Sequence, residues 1–357
     1  MATATRAVVS VFAHKLYWSA DCVARRSMEQ EEKPVTAPGS FPVSIRSFDT
    51  EEHARDFANL IFGYTQELSR HIDLSGLDGI TVAYDYNQAL LDLDRGYATS
   101  FRLTPSEEFV VGVAMTPSVL RDGVLKSHIL FSAGSVLELE NPEGEQFAVA
   151  VHTLAHECAH VEITRRFDTA FPGVLLRKAY DNPHDSMRWQ VILVCWDEYA
   201  ATQISAPFGH DPTDWYEQGF LVFLKETRSK ANNLINAYRL HADHGRIMAE
   251  VYGAYGELLK SAAYHLGNMA GRGLSPDALP ATKEALDGHW FAPYFDRFAA
   301  CCKNIADHYG TWTDTACFEP IGDLADKLVA EGGLRIYRRE DGAVGFDVPF
   351  TPETMPE

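Results

Sequence analysis

Basic side chains are in short supply. The 357-residue chain holds 31 Lys and Arg against 50 Asp and Glu, a formal charge of −19. A broad nucleic-acid footprint needs a surplus of Lys and Arg on one face, and docking on an anionic bilayer needs the same, so neither partner is expected. Cysteine is scarce as well. The six are Cys22, Cys158, Cys195, Cys301, Cys302 and Cys317, with no C-x-x-C pair among them. That spacing excludes a disulfide framework and points to free thiols in a reducing, cytoplasmic compartment. No apolar run reaches the roughly 18 residues of a membrane helix. Internal repeats and low-complexity tracts are absent too. What remains is an ordinary globular composition, 46% apolar and 23% charged. A chain of this length buries a core without metal or disulfide staples.

Residues 1–27 carry Arg6, Lys15, Arg25 and Arg26 and a single acid, Asp21. This charge is that of a weak targeting segment, yet His14, Lys15 and Ser19 interrupt any apolar stretch and no small-residue cleavage site follows. An upstream start codon, with Met28 opening the protein, or a disordered arm fits better. The expected organisation is a flexible arm over 1–40, a core over 41–210 and a helical region over 211–357.

Local signals fill in the elements. Asp49 or Thr50 can cap a helix running to about Arg70, with Phe57, Leu60, Ile61 and Tyr64 on one stripe. Gly79–Tyr84, Val110–Ala114 and His128–Ser132 read as strands. Asn141-Pro142-Glu143 predicts a helix from Pro142 to Arg166, and Asn182-Pro183 a second from Pro183 to Ala206, stopped by Pro207 and Gly209. Residues 214–268 read as helix with breaks near Gly245 and Gly253, 271–281 as a loop, 290–309 and 320–331 as helix, and 334–337 with 344–348 as a hairpin. The fold class is therefore α+β, mainly α, with a small strand region first and a helical extension last.

The chemistry sits in the first of the two Pro-started helices: His156-Glu157-Cys158-Ala159-His160, an H-E-x-x-H motif. Histidines four apart share one helix face, so their imidazoles can hold one metal, for which zinc is suited. Glu157 is expected to stand clear of both the metal and the core, free to take a proton from water that the metal acidifies. Cys158 falls on the other side of the helix and reads as a small core residue. His152, four residues earlier, either lines the cleft or faces solvent.

A catalytic zinc wants three protein ligands and an open position. A third histidine in the manner of the metzincins needs Gly at 163 and His at 166; the chain has Ile163 and Arg166. The second helix offers Glu198, which continues the apolar stripe of Met187, Val191, Val194 and Cys195. A carboxylate on such a stripe needs a metal or an ion-pair partner, and Arg165 or Arg188 would serve as the latter. Asp197 points about 100° away around the helix. Asp168 and Asp181 are fallback ligands. Donors for an oxyanion are open among Tyr199, Tyr238, His241, His244, Tyr252, Tyr255 and His265. The aromatic set Trp290, Phe291, Tyr294, Phe295, Phe298 and Trp312 has helix-packing spacing, suited to walling a cleft.

His156-Glu157-x-x-His160 followed by Glu198-Tyr199-x-Ala201 resembles the gluzincin pattern of zinc metallopeptidases, and within that clan the ImmA/IrrE-type minimal metallopeptidases. The resemblance covers about residues 125–206. It implies a zincin-like core, Zn²⁺ held by His156, His160 and Glu198, Glu157 as general base, and a peptide or protein substrate. The chain departs from that family in its long connection from His160 to Glu198, in the residues that follow, and in lacking a helix-turn-helix region. A rival reading is a binding protein that keeps the scaffold without hydrolysing anything; the presence of Glu157 argues against it.

Overall fold

A computed structural model describes residues 33–105 and 113–355. The protein is α+β, mainly α, and divides into two compact units. One comprises the described residues through Thr169 together with Ala201–Asp211; the other comprises Ala170–Ala200 and the described residues from Pro212 on. Among the described residues no helix is long and apolar enough to cross a membrane.

The first unit is built on a mixed sheet. Strands β1 (Val43–Arg46) and β2 (Leu77–Ala83) pair in parallel, as do β2 and β5 (Val124–Ser132). β3 (Ala114–Met115) and β4 (Ser118–Arg121) both run antiparallel along the far side of β5. β2 is buried on both faces, as an interior parallel strand should be. Ile80, Val82, Ile129 and Phe131 face helix α1 (Glu51–Leu68) through Phe57, Ile61, Tyr64 and Leu68, and helix α4 (Phe147–Ala170) through Val151, Leu154, Ala155 and Cys158. Ala83 and Leu130 pack instead with Tyr86, Ala89 and Leu90 of α2 (Tyr86–Asp92). A single turn, α3 (Ala133–Val136), follows β5.

Two local rules decide these helices. Thr50 caps α1, its side chain accepting from the His53 N–H at 3.1 Å. Asn141 does not open α4. Its carbonyl accepts from Gly144 N–H at 2.8 Å, closing a turn, so the helix starts at Phe147, five residues later than the Asn-Pro signal predicts, and runs on to Ala170. The start of the expected 110–114 strand lies outside the described residues. Residues 1–32 of the expected arm do too. From residue 33 the chain is tied down: the Thr36 hydroxyl lies 2.7 Å from the Ser69 carbonyl oxygen, and Ala37 is buried.

The second unit is helical. Asn182 caps α5 (Pro183–Ser205), its Oδ1 accepting from Asp185 N–H at 3.0 Å. The helices α6 (Thr213–His241) and α7 (His244–Arg272) form a hairpin. The break falls at Ala242, which adopts a left-handed conformation, and Asp243, which caps α7; Gly253 lies inside α7. The expected loop is shorter than 271–281, because α7 extends to Arg272 and α8 (Pro280–Leu286) begins early. Helices α9 (Ala292–Asp307) and α10 (Glu319–Glu331) and the hairpin β6 (Arg335–Arg338) with β7 (Val344–Asp347) complete it.

Arg188 of α5 is clamped by α10, donating to Glu319 Oε2 and Asp323 Oδ1 at 2.7 Å each and pairing with Asp326. Gly322 makes room for it: a Cβ there would lie 2.8 Å from the Arg188 guanidinium carbon.

Candidate metal centre

Helix α4 is held in register by the chain that returns over it. Gly209, at φ +66, brings its backbone so close that an added Cβ would lie 2.2 Å from the Ala148 carbonyl oxygen. His210 N–H donates to that oxygen at 2.8 Å. His152 Nδ1 lies 3.2 Å from the Phe208 carbonyl, so His152 is buried in this contact rather than facing solvent.

One turn further on, the His156 and His160 side chains meet. Their Nε2 atoms are 3.2 Å apart and the rings stand nearly perpendicular, at 88°. Two nitrogens at zinc-binding distance on a tetrahedral ion are separated by about 3.3 Å, so the pair fits one metal without rearrangement. Glu198 joins them. Ligand atoms of His156, His160 and Glu198 all lie within 4.8 Å of one another. Two imidazole nitrogens and one carboxylate oxygen form a donor set suited to zinc. Among the described residues no other group of three such side chains comes together in this way.

The competing ion pairs for Glu198 are taken up elsewhere. Arg165 binds Asp73 at 2.8 Å, and Arg188 is committed to the α10 carboxylates. Asp197 is half-buried and outside the group, as are half-buried Asp168 and exposed Asp181. Cys158 is buried in the core beneath α4, and burial pushes its thiol pKa up, so it is an inert packing residue.

Glu157 departs from expectation. It is only 7% exposed, held against the first unit's sheet rather than clear of the core. Its Oε2 accepts a hydrogen bond from the Thr116 hydroxyl at 2.6 Å. Tyr86 is its second notable neighbour. Burial and the Glu157 charge both push the Tyr86 phenol upward, and its buried hydroxyl has no hydrogen-bond partner. Sequence reasoning missed both residues. Thr116 follows a two-residue strand and Tyr86 opens a short helix, and neither lies in a pattern that points to a site.

The oxyanion donors weighed from the sequence are engaged within the second unit. Tyr199 stacks on Trp196, Tyr252 donates to Asp326 at 2.8 Å, and His265 stacks on Phe220. Tyr238, His241 and His244 group around one another, with Phe346 against Tyr238 and His244. Tyr255 is buried edge-on to Trp290. The aromatic set of the C-terminal region packs with the same unit: Phe291 and Phe295 against Phe220, and Trp312 against Trp196 and Phe318. No family model, no curated protein and no solved structure matches the chain.

Proposed function

We propose that the protein is a zinc-dependent peptidase whose metal is held by His156, His160 and Glu198 and whose general base is Glu157. The observation that carries this reading is the meeting of the three side chains, from two successive helices, within 4.8 Å. A zinc ion bound there supplies a Lewis acid that acidifies water and polarises a carbonyl. The chain's own residues do the rest. His156 and His160 bind through Nε2, Glu198 adds a carboxylate oxygen, and three ligands leave one position open for substrate. Glu157 takes a proton from water and passes it to the leaving amine. The first unit, a sheet followed by the H-E-x-x-H helix, is on this reading a zincin-like core. A peptide or protein substrate and a cytoplasmic location go with it; the five described cysteines are free.

Protein purified without chelator is expected to carry about one zinc per chain. Glu157→Gln should keep fold and metal while cleavage of an unbiased peptide library falls about 10²- to 10⁴-fold. Absence of zinc, with no uptake on reconstitution, removes the reading. Equal cleavage by wild type and Glu157→Gln removes the mechanism, and a zinc-bound wild type that cleaves nothing favours the binding-protein rival.

A further inference from the structure

The Thr116 hydroxyl hydrogen-bonds the Glu157 carboxylate, and its geometry is specific. Thr116 Oγ1 lies 2.6 Å from Glu157 Oε2 and 3.3 Å from the Glu157 carbonyl oxygen. A hydroxyl has one proton to give. The shorter contact falls in the range of a charge-assisted O–H···O⁻ bond, so that proton goes to Oε2. One carboxylate oxygen, Oε2, is thereby held, which leaves Oε1 as the one this bond does not occupy.

Both ends of this bond are on fixed parts of the same unit. Thr116 directly follows β3, where Ala114 and Met115 pair with Phe131 and Leu130 of β5. On its other side the Pro117 carbonyl accepts from His128 N–H at 3.0 Å. Glu157 lies on α4, which packs on the same sheet through Val151, Leu154 and Cys158. A flexible glutamate has three rotatable bonds, and an anchor on a rigid element removes that freedom before substrate arrives.

We infer that Thr116 is a positioning residue for the base: its hydroxyl fixes Glu157 Oε2 and so aims Oε1 at the open metal position. The inference rests on the metal reading above. Thr116 touches neither metal nor reacting atoms; it acts through Glu157.

The test loads Co(II) into wild-type, Thr116→Val and Thr116→Ser proteins and titrates acetohydroxamate, following visible absorption. This chelator sheds a proton to a neighbouring base as it binds, so its affinity reports whether Glu157 is correctly aimed. All three proteins should take up Co(II) alike. Thr116→Val should bind acetohydroxamate about tenfold more weakly, in line with loss of a hydrogen bond to a charged group. Thr116→Ser, which keeps the hydroxyl, should stay within about twofold of wild type. Equal affinities in wild type and Thr116→Val overturn the inference, because a merely structural staple leaves that affinity unchanged. If Thr116→Val fails to fold by circular dichroism, Thr116→Ala carries the same comparison. A wild type that takes up no Co(II) overturns the metal reading and this inference with it, and is recognised before any substitution is compared.

Discussion

His265 is a buried base whose cost on protonation can be worked out. It is 0% exposed, in the middle of α7, with its ring nearly parallel to Phe220 at 10°. Its Nε2 lies 2.9 Å from the Thr282 hydroxyl, which in turn donates to Glu217 Oε1 at 2.7 Å. With its proton given to Glu217, Thr282 can only accept from His265. The imidazole is therefore the Nε2–H tautomer, and its Nδ1 lone pair is buried with no partner. Protonating Nδ1 would put a cation and an unmatched N–H in an apolar site. Burial accordingly lowers the pKa from 6.5 to about 4, with the Glu217 charge opposing it more weakly.

The unfolded chain takes up this proton first, so the folded state loses stability as pH falls from about 6.5 towards 4 and gains nothing further above 6.5. The shift corresponds to a loss of about 3 kcal/mol at the acid end and about 2 kcal/mol by pH 5, as order-of-magnitude values. Urea unfolding of wild type and His265→Gln, followed between pH 7.5 and 5, isolates this share from the many other titrating groups. The difference in stability between the two should change by about 2 kcal/mol over that range, in the direction that favours the variant at low pH. Parallel pH profiles for the two proteins, or a measured His265 pKa at or above its unfolded value, would refute the reasoning.

On the proposed zinc reading, removing Glu198 should cost more metal than removing its neighbour. Glu198→Ala is expected to lose zinc well beyond the about 10- to 100-fold drop in affinity typical of an outer partner, while Asp197→Ala stays within it; chelator competition reads both, and the reverse order would reassign the ligand. Gly322→Ala forces a methyl against the Arg188 guanidinium and should destabilise the second unit by about 1–3 kcal/mol in urea unfolding, with no effect expected if Arg188 can swing away.

What the sequence made legible was whatever is local. The Thr50 and Asn182 caps act within three residues, and the helices they open begin where expected. H-E-x-x-H is likewise a one-turn motif, and the place of Glu198 on a stripe marked it as a candidate to meet the two histidines, which it does. Asn141 carries the same surface signal as Asn182 but ends the preceding helical turn at Leu137–Glu140, its N–H bonded to the Glu138 carbonyl, and closes a further turn onto Gly144. Thr116 and Tyr86 became visible only once β3 lay beside β5 and α2 beneath the sheet. The two arginines weighed as ion-pair partners for Glu198 bind residues far away in sequence, Arg165 to Asp73 and Arg188 to the α10 carboxylates.

The two units also differ in how the chain must find them. α6 and α7 are 29 residues each and meet across a two-residue turn, so most of their pairing is between near neighbours in sequence. The parallel sheet has no such shortcut: Val43 must find Ile80, and Ile80 must find Ile129, each across a long connection. Closing those loops costs entropy before any pairing rewards it, which makes parallel sheets slow to assemble. In pulse-labelled refolding, amides of the α6–α7 hairpin should gain protection first and those of β2 and β5 last. The H-E-x-x-H helix packs on that late sheet, so on the proposed zinc reading metal uptake follows, and does not guide, the formation of the helical unit.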